Sequence, residues 1–249
     1  MIRIVTPNPG WQTVNNYSAA VIGRPIETDA QLRQRQAIST SLPAITPLLA
    51  VWAAVANVRG VERTRGYEND THLYDEIGLP PHSLAIVVKG GDTYTIAQTI
   101  ARKKNTGCGT YGSTEVIVYE PPAAPMHIKF MRLTEINIYV HVYIRPQPQY
   151  LSVTGALIRM AVAEYVNTLD IGQWVHAAWL CPAASLTGEA AVNGTGRTQP
   201  DLDRLRQTYI LEAIMLGTDP DHIDQHEITI PFDCAAVTAI DNIRLTLED

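Results

Sequence analysis

The stretch KKNTGCGTYGST, Lys103 to Thr114, gathers three glycines, two lysines, several hydroxyls and a cysteine. These are the ingredients of a phosphate cradle. Such a cradle runs from a strand into a helix, so that loop amides and the positive end of the helix dipole face the anion. Here the order is reversed. The preceding segment DTYTIAQTIARKK reads as a helix, with Asp92 as N-cap and Tyr94, Ile96, Ala97, Ile100 and Ala101 along one apolar stripe. Arg102, Lys103 and Lys104 close its negative end, Gly107 is the expected C-cap, and EVIVY, Glu115 to Tyr119, reads as a strand. An anion in this loop would meet carbonyls, so the loop is read as a structural turn. Cys108 offers a thiol, but no imidazole adjoins it in sequence, and the nearby lysines lower a thiol pKa only mildly.

Two other stretches carry metal-ligand types. YENDTHLYDE holds Asp70, His72, Asp75 and Glu76, and DPDHIDQHE holds Asp219, Asp221, His222, Asp224, His226 and Glu227. His222 and His226, four apart, would share a helix face and could bind zinc. Yet HIDQH lacks the second-place glutamate that serves as base in a zincin, and Pro220 among aspartates predicts a turn before ITIP. The first stretch reads as a solvated hairpin loop. The serines at 18, 39, 83, 113, 152 and 185 stand in no G-x-S-x-G elbow. His141 lies on the polar face of a strand, where packing or a surface hydrogen bond is its expected role. Trp174 and Trp179 flank an apolar patch that suits a core or an interface equally. No catalytic, metal or cofactor residue is therefore assigned. One enzymatic alternative stays open, a metal-dependent hydrolase using the Asp219–Glu227 cluster.

The elements around these residues predict an α+β fold: two consecutive α/β sandwich subdomains with mixed or antiparallel sheets. Residues 1–25 read as an irregular segment. The first subdomain spans 26–120. It opens on a capping box at Thr28 and a polar helix to about Thr40. Thr46 and Pro47 then start PLLAVWAAVANV, apolar nearly all round and expected at the centre of a core. RGVERTRGYE and SLAIVVKGG read as strands. PPAAP, 121–125, is the expected linker, stiff rather than flexible. In the second subdomain, 126–249, TEINIYVHVYIR alternates with period two and reads as one strand. A helix follows from about Val153 to Leu169. VHAAWLCPAAS reads as a short strand or a helical turn. The segment 187–201 reads as an exposed, mobile Gly/Thr-rich loop. RQTYILEAIMLG, HEITIP and NIRLTLE are the remaining strand candidates.

Composition narrows the function classes. The chain has 249 residues, 46% hydrophobic and 18% charged, with a net charge of −6. The absence of a long basic patch argues against nucleic acid. Three widely spaced cysteines form neither a metal pattern nor a disulfide framework, which suits a reducing compartment. The start MIRIVTPNPG has no apolar core of a signal peptide. The uncharged run Gln36–Val58 is interrupted by prolines and hydroxyls, as a buried helix is and a membrane span is not.

The order of segments resembles a known family. PNPGWQTVNN, GRPIETDAQLRQRQ, VRGVERTRGYEND, GLPPHSLAIVVKGGD, IARKKNTGCGTYGST and LDIGQWV, in that order, look like the baseplate J-like proteins, most closely between Gly23 and Thr114. These are wedge components of contractile bacteriophage tail baseplates and related particles. The resemblance implies a structural protein, not an enzyme. It would be made in the bacterial host cytoplasm and built into the virion. Its partners would be other baseplate wedge subunits and further copies of itself, with no nucleic acid, membrane or small-molecule substrate. In the family the glycine-rich turn is part of the scaffold. Family members carry a further N-terminal region before the stretch matching Pro7–Trp11, so a fragment, a split gene or a short variant is expected here.

Overall fold

A computed structural model describes residues 47–120 and 124–248. The expected segment 1–25, the helix begun at Thr28, the cap at Thr46 and the segments PNPGWQTVNN and GRPIETDAQLRQRQ lie outside the described residues. The described chain is an α+β fold of six helices and twelve strands in mixed and antiparallel sheets.

The first unit is built on a hairpin. Strands β1 (Val61–Asn69) and β2 (Ser83–Gly90) pair antiparallel. Helix α1 (Pro47–Ala56) packs on β1, where its Trp52 Nε1 donates to Thr64 O at 2.9 Å. It buries Val51, Ala53 and Val55 but leaves Leu49 exposed, so it is an outer layer and not the expected centre. The centre is β2, whose first six residues are all buried. Leu84, Ile86 and Val88 meet the helices, and Val87 faces the other way into a second cluster. That two-sided burial explains an unbroken apolar run instead of alternation. Helix α2 (Thr93–Lys103) starts as expected, with Thr95 N donating to Asp92 Oδ2 at 2.8 Å, and buries Ile96, Ala97 and Ile100. Its C-cap is the extended Lys104, while Gly107, with φ 86°, sits in the turn beyond.

The glycine-rich stretch then contributes a strand that periodicity did not reveal. β3 (Gly109–Tyr111) runs parallel to the start of β2. Gly112 passes so close to the backbone of Phe130 that a Cβ would overlap it. β4 (Thr114–Val118) follows and pairs antiparallel with β5 (Met126–Arg132), which in turn lies parallel to β2. This corrects the expected domain division. The chain between β4 and β5 connects two neighbours of one sheet, and Ile128 and Phe130 belong to the first core. The passage to the second unit comes at Leu133, whose N–H donates to Val88 O at 3.0 Å.

The period-two segment 134–145 alternates as expected, but it forms two strands. β6 (Thr134–Asn137) ends where Ile138 N donates to Val237 O, and β7 (Tyr139–Pro146) begins. Each half has its own partners. β6 pairs parallel with β11 (Cys234–Val237), a strand the sequence reading missed. β7 is the middle of a three-stranded sheet, antiparallel to β9 (Tyr209–Gly217) and parallel to β12 (Ile243–Leu247). Helix α3 (Ser152–Thr168) lays Leu157, Ile158, Ala161, Val162 and Val166 on the buried face of Val140, Val142 and Ile144. VHAAWLCPAAS holds both expected alternatives, β8 (Val175–His176) followed by α4 (Ala177–Ala184). Of HEITIP only β10 (Glu227–Ile228) is strand, paired with β8.

The expected mobile loop 187–201 is instead helical. α5 (Glu189–Thr195) and α6 (Gln199–Arg206) bury Ala191 and Leu202 in the second core. Pro200 in the first turn of α6 is compatible with helix because the first amides need no intrahelical partner. α5 crosses α3 so closely that a Cβ on Gly194 would stand 2.7 Å from Met160 O and 2.8 Å from Glu164 Cβ.

The two units are joined through a packed junction. Val87 and Met131 from the first unit meet Ile171 and Ala235 from the second, with Tyr67, Leu133 and Phe232 against them. Polar groups on β1 cross the same seam. Arg63 Nη2 donates to Leu169 O at 2.6 Å, Arg65 Nη1 to Ile171 O at 2.7 Å, and Tyr67 OH to Phe232 O at 2.9 Å.

Candidate functional site

A groove lies along β12. This strand pairs only with β7 among the described residues, and none of them forms a strand on its other edge. A cavity of about 630 Å³ runs beside it, lined by Arg244, Leu245, Thr246 and Leu247 of the strand, by Tyr150 and Arg159 across from it, and by His141. The local sequence explains the layout. In IRLTL the apolar residues Ile243 and Leu245 turn inward, while Arg244 and Thr246 fall beside His141 and Tyr143 of β7. His141 hydrogen-bonds with Thr246 Oγ1 at 2.7 Å and with Tyr143 OH at 2.9 Å, and stacks on the Tyr143 ring. Partial burial, and then the Arg244 guanidinium, hold its pKa below the ordinary value of 6.5. Burial pushes the Tyr150 phenol up. Arg159 Nε is buried with no hydrogen-bond partner among the described residues. Asp241 also lines the groove and supplies its one carboxylate.

This arrangement can bind backbone and charge. The neutral His141 is engaged on both nitrogens, which leaves no lone pair for a substrate. A second cavity of about 500 Å³, between α4 and the start of β9, is lined by Cys181, Arg206, Tyr209 and Leu211. Its Tyr209 donates to Ala184 O at 2.7 Å, and burial raises its pKa far above the ordinary phenol value.

The residues singled out from sequence are dispersed. Asp219, Asp221 and His222 form an exposed turn, with Asp221 N donating to Asp219 Oδ1 at 2.9 Å and His222 Nδ1 3.7 Å from Asp219 Oδ2. His222 and His226 share no helix face. Glu227 pairs instead with His176 at 2.8 Å. In the first stretch His72 and His82 meet at 3.0 Å, while Asp75 Oδ1 accepts from Ile77 N and Leu79 N to shape the loop. Among the described residues no group of three or more His, Cys, Asp or Glu side chains is placed to hold a metal ion. The Cys108 thiol donates to Gly109 O, and burial and then Glu68 raise its pKa, against a thiolate role. Burial pushes the Cys234 thiol up to about 11. Lys104 Nζ donates to Cys108 O at 3.1 Å, so this one of the stretch's two lysines serves its own turn.

The remaining features are exposed apolar side chains. Leu73 and Tyr74 stand 75% and 69% exposed at the tip of the β1–β2 loop, and Trp174 and Trp179 are 48% and 46% exposed beside β8. The tryptophans therefore belong to the surface. Sequence reasoning missed the β12 groove, because nothing in the sequence shows which strand is at an edge. Among the described residues no helix is long and apolar enough to cross a membrane. Neither a scan against protein-family models nor a search of curated proteins gives a match to this chain.

Proposed function

We propose that this chain is a structural subunit of a contractile-tail baseplate, built into the wedge ring of a phage or prophage-derived particle through contacts with neighbouring subunits. One observation carries the reading. The described segments that resemble baseplate J-like proteins are framework in this fold, and they meet one another. VRGVERTRGYEND is β1, GLPPHSLAIVVKGGD is the loop into β2 and the turn to α2, and IARKKNTGCGTYGST runs from α2 through β3 to β4. LDIGQWV supplies Leu169 and Ile171, the carbonyls that receive Arg63 and Arg65 of the first segment. These residues hold two units in a fixed relation, which suits a load-carrying subunit. Exposed Leu73, Tyr74, Trp174 and Trp179 offer the aromatic and apolar contacts that interfaces favour.

Mass spectrometry of purified tail particles tests the proposal. Peptides of this chain at a fixed low ratio to the sheath protein are the expected result. Intact particles that lack the chain, with all of it in the unassembled fraction, would overturn the reading.

A further inference from the structure

The edge of β12 that no described strand occupies has a register in which it would pair with a second copy of itself. Glu248 N donates to Ile144 O at 2.9 Å, so the amides of Arg244, Thr246 and Glu248 turn toward β7. By alternation Leu245 and Leu247 turn their N–H and C=O groups to the open side. Now place a second β12 antiparallel to the first, about a two-fold axis through Thr246. Leu245 comes opposite the other copy's Leu247, as a pair that exchanges both backbone bonds. Arg244 comes opposite the other copy's Glu248, in the non-hydrogen-bonded position where side chains approach most closely. Charge, apolar character and hydrogen-bonding parity agree in that one register.

Other features of the strand fit. β12 has no bulge, proline, glycine or lysine, the devices that commonly blunt an edge. Its Leu247 is 52% exposed and would be covered. The groove of about 630 Å³ along the strand leaves space beside the edge.

We infer that β12 is a homotypic interface, through which two copies of this chain join their three-stranded sheets into one continuous sheet. It rests on the assembly reading for its purpose, but on the strand alone for its geometry. The contact is isologous, with the same patch on both copies.

Sedimentation velocity of the full chain over a concentration series is the test. The expected result is a reversible monomer–dimer equilibrium. Arg244→Glu or Glu248→Arg alone should weaken it about tenfold, since the two-fold axis makes each change count twice. The double charge swap in one chain should restore it, because the pair is then reversed and not lost. Leu247→Pro removes an outward N–H that β7 does not use, and should abolish the dimer while circular dichroism stays unchanged. A wild-type chain that stays monomeric at every concentration would overturn the inference. So would a dimer indifferent to both the charge reversals and the proline. Neither result bears on whether the chain is present in tail particles, so the two readings can fail separately.

Discussion

Gly194 shows how one atom sets the spacing of two helices. Its missing side chain lets α5 lie against the Met160 carbonyl and the Glu164 stem of α3. Gly194→Val should cost about 1–3 kcal/mol, the usual range for overpacking a tight contact. Urea denaturation checks it, and a midpoint within error of wild type would show that the contact is loose. His141 carries a pH dependence. Its folded pKa is depressed, so below about 6.5 the unfolded chain takes up a proton that the folded ring resists. Stability should therefore be full above that pH and fall as pH drops through it, until the folded ring also protonates. His141→Gln should flatten this part of the profile in denaturation series between about pH 7 and about pH 5.5. Equal slopes for the two proteins would remove His141 as the cause. At this scale the sequence was informative where a role is local. Asp92 was legible as a cap because capping needs only its own next turn. Arg159 and the carbonyl partners of Arg63 and Arg65 were not, because those contacts join residues about a hundred positions apart.

Helices α2 and α3 were legible where period and length agreed, and β2 as a short unbroken apolar run. The segment 134–145 kept its predicted faces but not its predicted unity. Alternation reports which side is buried and says nothing about a change of partner. That change is fixed at Ile138, where Thr238 Oγ1 donates to Ile138 O at 2.6 Å and Asn167 Nδ2 donates to Thr238 O at 3.0 Å. The misread loop 187–201 teaches the converse. Glycine and threonine content predicts a loop, yet tertiary packing overrides weak helix propensity once a few apolar residues are buried. Leu202 is one of them, fully buried in the second core. Leu202→Ala should lower stability by about 2–4 kcal/mol, as for a core leucine. A leucine in a mobile loop would cost about 0.5 kcal/mol or less, and thermal denaturation separates the two cases.

Across the whole molecule, the junction decides whether the two units act as one. Arg63, Arg65 and Tyr67 cross it with hydrogen bonds to three backbone carbonyls, those of Leu169, Ile171 and Phe232, and Arg65 also pairs with Asp170 at 3.1 Å. Removing all three together, as Arg63→Ala, Arg65→Ala and Tyr67→Phe, should split a single calorimetric transition into two, because each unit keeps its own core. A single lowered transition would mean that the apolar part of the seam carries the coupling alone. The proline-rich segment was expected to be the stiff linker at this boundary. Because β5 returns to the first sheet, the division falls at Leu133 instead, with one residue between two strands and no length of chain to flex.

The parallel pairing of β12 with β7 also orders events during synthesis. Every strand of the first sheet has left the ribosome once Arg132 is out, so that unit can fold early. In the second unit Val140 must wait for Ile243, its neighbour in the ladder, and Thr134 must wait for Cys234. For the time it takes to make the intervening chain, the backbone edge of β7 that will meet β12 has no ladder partner, beside a finished first unit. A pause in translation over that interval would lengthen the exposure, and with it the window in which a chaperone can bind.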